Sequence, residues 1–109
     1  MPTILIIEDE AKMRRLLELS LGEDGFATLS AADAEAGLQY LRNEAVDLVV
    51  TDLKLPGMGG LEFLQAAKRL NSALPVVVMT AFGTVETAVE AMKSGASDYV
   101  LKPLSLIHI

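Results

Sequence analysis

Asp47-Leu48-Val49-Val50-Thr51-Asp52 is a short, strongly apolar run that ends on a carboxylate, and its reading decides the fold. Three other segments finish in a related way. Ile4-Leu5-Ile6-Ile7 leads into Glu8-Asp9-Glu10, Val76-Val77-Val78-Met79 into Thr80, and Tyr99-Val100-Leu101 into Lys102. Continuous apolar runs of this length are expected of strands covered on both faces, as in a parallel sheet. As parallel neighbours they would share one carboxyl edge. Acids, a hydroxyl and an ammonium group would then converge there, a setting suited to a divalent cation and a phosphoryl group.

Helical spacing fills the intervals between these runs. Residues 11–21 place Met13, Leu16, Leu17 and Leu21 on one face, and Gly25 closes the segment. A short strand is expected near residues 26–30, then a helix over 33–43 with Ala34, Leu38 and Leu41 on one side. The third strand, residues 46–51, is followed by a loop rich in glycine and proline that runs to Gly60. A helix over 60–70 carries Leu61, Leu64 and Ala67, and the fourth strand follows Pro75. Residues 84–94 read as a helix capped by Thr84, with Val85, Ala88, Val89 and Met92 as its core stripe and Gly95 at its C′ position. The last strand is expected over 98–101.

Regular alternation of strand and helix implies an α/β fold: a doubly wound parallel sheet with helices on both faces. In such sheets ligands bind beyond the carboxyl ends of the strands, where strand order reverses. The flavodoxin-like five-stranded order 2-1-3-4-5 puts that point between the first and third strands. These are the strands that end in Glu8-Asp9 and Asp52, so pattern and topology choose the same place.

Bulk composition narrows the classes. The 109 residues suit one domain, and with 51% hydrophobic and 22% charged residues the chain is expected to fold. There is no cysteine, so disulfide and thiolate chemistry drop out, which fits a cytoplasmic location. No apolar segment approaches the roughly 18–20 residues that span a bilayer, so no membrane association is expected. The net charge is −6, and the nine basic residues are scattered, with Lys12, Arg14 and Arg15 the nearest grouping. Direct nucleic-acid binding is therefore not expected.

Taken singly, each site residue has an ordinary explanation. Asp9 could cap the first helix, Asp52 could end a strand in a turn, Thr80 is a common strand residue, and Lys102 could be solvated. Together they weaken those explanations, because each lands at a strand's carboxyl end. Three acids in close quarters repel one another unless a cation neutralises them. An all-oxygen donor set, with no cysteine and one histidine, points to Mg2+ rather than Zn2+. Asp52 could then act as a nucleophile toward a phosphoryl donor. Lys102 and the cation would supply charge, and Thr80 a hydrogen bond. His108 reads as a terminal residue without function.

The chain resembles the receiver domain of two-component response regulators, with a CheY-like fold, over residues 3–103. The resemblance is carried by Ile6-Ile7-Glu8-Asp9-Glu10, the stretch from Asp47 to Met58, Val78-Met79-Thr80-Ala81, Gly95-Ala96-Ser97-Asp98-Tyr99 and Leu101-Lys102-Pro103. It implies that Asp52 is the phosphoacceptor, Asp9 a direct Mg2+ ligand, Glu8 a second acid acting through water, and the Lys54 carbonyl a backbone ligand. It also implies a switch pair, Thr80 and Tyr99, a phosphoryl-binding Lys102, and a cis peptide between Lys102 and Pro103. Finer similarity, from Asp52 to Glu62 and from Met79 to Lys93, is to the nitrogen-regulation and dicarboxylate-transport class. That class implies a sensor histidine kinase as phosphodonor. It also implies a longer parent chain, with an ATPase acting with sigma-54 and a DNA-binding helix-turn-helix. A homodimer through the fourth helix, fifth strand and fifth helix is a further implication.

The family's fifth helix has no counterpart in Leu104-Ser105-Leu106-Ile107-His108-Ile109, which lacks helical amphipathicity. Residues 1–103 therefore read as the receiver domain and 104–109 as a truncated or altered segment. Loss of three or four buried side chains, at roughly 1.5–3 kcal/mol each, would expose one side of the sheet. Alternative readings are a stand-alone phosphotransfer or dimerisation module, a phosphatase of the haloacid-dehalogenase type and a flavodoxin-like cofactor binder. The phosphatase would need a second acid where Lys54 stands, and the acids at Glu8-Asp9-Glu10 would repel a cofactor phosphate. The domain is accordingly expected to be a signalling module and not an enzyme.

Overall fold

In the computed structural model, residues 1–81 and 83–101 are described. Lys102, Pro103 and the segment 104–109 lie outside them, so the cis-peptide and fifth-helix expectations do too. The elements run β1 (Thr3–Ile7), α1 (Ala11–Glu23), β2 (Ala27–Ala31), α2 (Ala34–Asn43), β3 (Leu48–Asp52), α3 (Gly60–Leu70), β4 (Val76–Thr80), α4 (Val85–Lys93) and β5 (Asp98–Leu101). All five strands are parallel in the order β2-β1-β3-β4-β5, as the alternation predicts.

The two faces of the sheet are unequal. On one, Leu5, Ile7, Val49, Val76 and Val78 pack with Leu38 of α2, Phe63, Leu64 and Ala67 of α3, and Ala91 of α4. On the other, Ile4, Ile6, Val50 and Met79 pack with Leu17 and Leu21 of α1. The predicted exposure of this second face is partial: among the described residues its apolar strand side chains are buried or, at Leu48, Val77 and Val100, half-buried. Ile6 and Met79 are fully buried. Leu17 and Leu21 of α1 belong to the buried group on this face, and Val77 and Val100 pack against that group.

The expected core stripe of α4 needs correcting. Val85 is 81% exposed, Met92 49% and Val89 44%, while the buried residue of this helix is Ala91. Apolar spacing marked a real helical face, but the sheet receives the neighbouring face, through a side chain small enough for close approach. Both ends of α4 are nevertheless closed by local chemistry. Thr84 and Thr87 form a reciprocal capping box. At the other end Ala96 N–H bonds Ala91 C=O and Gly95 N–H bonds Met92 C=O, with Gly95 at φ 104°. That left-handed conformation suits glycine.

The loop after β3 is stitched to the sheet. Leu53 N–H donates to Met79 C=O, and Gly60 N–H to Leu53 C=O, both at 2.9 Å. Gly60 begins α3 directly against this backbone, so that an added Cβ would stand 2.7 Å from Leu53 Cα and within contact of the Asp52 carbonyl. The neighbours are main chain and cannot turn aside. Gly60→Ala should therefore destabilise the domain by about 2–3 kcal/mol in urea unfolding, against a few tenths for Gly59→Ala, where the space is open.

Candidate functional site

Register decides which residues meet. Ile7 pairs with Thr51 and Thr51 with Val78, while Asp52 pairs with Met79 and Thr80 with Leu101. One step beyond Ile7 and Thr51, the chain places Glu8 and Asp52 on the same edge. Carboxylate oxygens of Glu8, Asp9 and Asp52 lie within 4.8 Å of one another. Glu8 is 1% exposed and Asp52 7%, whereas Asp9 is open to solvent. The site is thus two buried acids with a third at the mouth.

Backbone groups fix this arrangement. Glu8 N–H donates to Ala31 C=O at 3.0 Å, tying the end of β1 to β2. Its Oε2 accepts from Glu10 N–H at 3.1 Å. Asp52 Oδ1 accepts from Lys54 N–H at 3.1 Å, and Thr51 Oγ1 donates to Asp52 C=O at 3.1 Å. Asp9 is not the cap of α1: the N-cap is Glu10, which makes no side-chain cap bond. With that ordinary role removed, Asp9 is left beside the other two acids.

Thr80 ends β4 and is 1% exposed. Tyr99 is half-buried on β5, and its hydroxyl lies 2.6 Å from Thr87 Oγ1. Thr87 Oγ1 accepts from Thr84 N–H and donates to Thr84 C=O, each at 3.0 Å. One hydroxyl has one proton, so in that arrangement Tyr99 is the donor in the pair. Gly83 lies against the same ring, an added Cβ there falling 2.8 Å from the Tyr99 hydroxyl. Lys102 lies outside the described residues. Sequence reasoning missed two participants: Thr87, whose spacing from Thr84 is that of a capping box, and Arg14, which donates to the Glu8 carbonyl at 2.8 Å.

Three carboxylates, each offering one oxygen, fit a hard divalent cation such as Mg2+. Among the described residues, the cluster contains no nitrogen or sulfur donor.

The chain belongs to the response regulator receiver domain family, whose model matches residues 4–109. Among curated relatives, it is 38% identical over 102 residues to the response regulator protein PilR of Pseudomonas aeruginosa, covering 94% of this chain and 23% of that one. With the transcriptional regulatory protein ZraR of Escherichia coli the identity is 40% over 106 residues, covering 97% and 24%. The chain thus spans about a quarter of the length of these relatives. The crystal structure of NtrX from Brucella abortus superposes with a TM-score of 0.90 at 36% identity, over 99% of this chain and 25% of that one. A response regulator from Burkholderia pseudomallei, solved with a phosphorylated aspartic acid and a calcium ion, gives 0.89 at 27% identity, over 94% and 61%. These relatives bear out the similarity to the nitrogen-regulation class.

Mg2+ should stabilise the native state by mass action, about 1.4 kcal/mol at ten times its Kd. Asp9→Asn should remove most of that gain. Urea midpoints with Mg2+ and with EDTA measure both, and a midpoint indifferent to Mg2+ would refute the metal site.

Proposed function

We propose that Asp52 accepts a phosphoryl group from a sensor histidine kinase, and that the domain thereby controls transcription through effector domains of a longer cytoplasmic protein. The observation that carries this reading is the convergence of the Glu8, Asp9 and Asp52 carboxylates within 4.8 Å at the carboxyl ends of β1 and β3. The phosphorylated aspartic acid and calcium ion of the Burkholderia pseudomallei relative support the same chemistry.

In this mechanism a carboxylate oxygen of Asp52 attacks the phosphorus of a phosphohistidine. The new P–O bond forms as the P–N bond breaks, and the electron pair leaves on the imidazole nitrogen, which takes up a proton. Lys54 N–H holds Asp52 Oδ1 and so orients the carboxylate before attack. Asp9, Glu8 and the Lys54 carbonyl would hold Mg2+, whose charge offsets that of the acids and of the transferred group. The buried Thr80 hydroxyl would bond a phosphoryl oxygen, and Lys102 would pair with another; the role of Lys102 rests on sequence alone. Once Thr80 turns toward the phosphoryl, space beside it opens for the Tyr99 ring. The ring then leaves its bond to Thr87, and α4 feels the change.

Direct nucleic-acid and membrane contacts form no part of this reading. None of the described helices is long and apolar enough to cross a membrane. The parent chain's ATPase and DNA-binding domains, and a homodimer, follow from the similarity to the nitrogen-regulation class.

Incubation with acetyl phosphate and Mg2+ should add one phosphoryl group to the intact protein by mass spectrometry. EDTA or Asp52→Asn should abolish the addition. Full labelling of Asp52→Asn would sink the assignment.

A further inference from the structure

We propose that Arg14 is a positioning residue for the acid site: its guanidinium holds the Glu8–Asp9 peptide and thereby sets where the Asp9 carboxylate stands. The inference rests on reading Glu8, Asp9 and Asp52 as a Mg2+ site, and deepens it.

The hydrogen bonds around Glu8 carry the argument. Beyond Ile7 the chain leaves β1, and the three residues before α1 must place two acids. Glu8 N–H is committed to Ala31 C=O, and its carboxylate accepts from Glu10 N–H. Its carbonyl accepts from Arg14 Nη1 at 2.8 Å. A peptide unit is planar, so fixing the Glu8 carbonyl also fixes the Asp9 amide and the direction in which the Asp9 Cα departs. Asp9 has no packing to hold it, being exposed. Its placement therefore depends on the backbone beneath it.

Arg14 is itself well anchored. It is half-buried, and its own N–H donates to Glu10 C=O at 3.0 Å, the first helical bond of α1. Glu10 gives α1 no side-chain cap, so the reach of Arg14 back to Glu8 closes the helix start and the acid turn in one bond. A guanidinium donor to a carbonyl is charge-assisted and directional. The bond orients a group that carries a metal ligand, as a metal's outer partners do.

The sign of the effect separates positioning from charge. Removing a cation bonded to the main chain of the acid turn would, through charge alone, tighten Mg2+ binding. Loss of positioning weakens it. Calorimetric Mg2+ titration of the unphosphorylated protein should show Arg14→Met binding about 3–10-fold more weakly than the wild type. Arg14→Lys, which keeps the charge and one donor, should fall between them. Labelling by acetyl phosphate should need correspondingly more Mg2+ in Arg14→Met and reach the wild-type rate at saturation. A purely structural role would lower urea stability in EDTA without moving the Mg2+ affinity of the folded protein. Unchanged or tighter binding by Arg14→Met would overturn the proposal. If Arg14→Met does not fold, wild-type affinity in Arg14→Lys would do so. Failure of the wild type to bind Mg2+ would instead overturn the reading of the acid site.

Discussion

The whole working edge depends on β1 lying directly beside β3. Ile4, Leu5, Ile6 and Ile7 pair against Leu48, Val49, Val50 and Thr51, and apart from Leu48 these residues are buried. Their burial outweighs what the strand ends would choose by themselves. Two buried carboxylates about 5 Å apart repel by roughly 3 kcal/mol at an effective dielectric of about 20. Burying one such aliphatic side chain contributes about 1.5–3 kcal/mol, and the pair of strands buries several. The apolar ladder therefore holds Glu8 beside Asp52.

Closeness of the acids is accompanied by fixed orientation. Free carboxylates would swing apart into water. Here Glu10 N–H holds Glu8, Lys54 N–H holds Asp52, and Arg14 holds the peptide between the first two acids. Each restraint comes from the segment that follows its strand, Glu10 and Lys54 from the turns and Arg14 from the first turn of α1, within six residues of the acid it serves. The loop after β3 is closed in turn by the bond from Gly60 N–H to Leu53 C=O. Sheet and turns thus divide the work: one sets the distance between acids, the other their orientation.

This division also explains what the sequence made legible. Strands and their order could be read because continuous apolar runs and strict alternation leave few topologies. The acids, Asp52 and Thr80 could be read because each stands at the end of a run. Arg14 could not, since its partner is a main-chain carbonyl, to which any side chain sequence might be attached. Thr87 carried a capping signature, but its bond to Tyr99 crosses from α4 to β5 and has no local trace. The apolar stripe of α4 misled for a related reason. Periodicity shows that a helix has an apolar face, not which part of the fold will cover it.

The mismatch in α4 bears on how a change at Asp52 could travel. A helix held by a broad buried face moves only if its core contacts break together. Of the residues in α4, Ala91 is buried, whereas Val85, Val89 and Met92 are exposed. Its helical form is kept instead by its own ends, the Thr84–Thr87 box and the turn at Gly95. Such an element can shift as a unit at small cost, because little apolar surface changes hands. The Tyr99–Thr87 bond ties it to β5, separated from β3 by β4 alone. Rotation of the Tyr99 ring would break its bond to Thr87, the partner of Thr84 in the capping box, so ring and helix are linked. A change that reached the Tyr99 ring would therefore be felt at an exposed helix face.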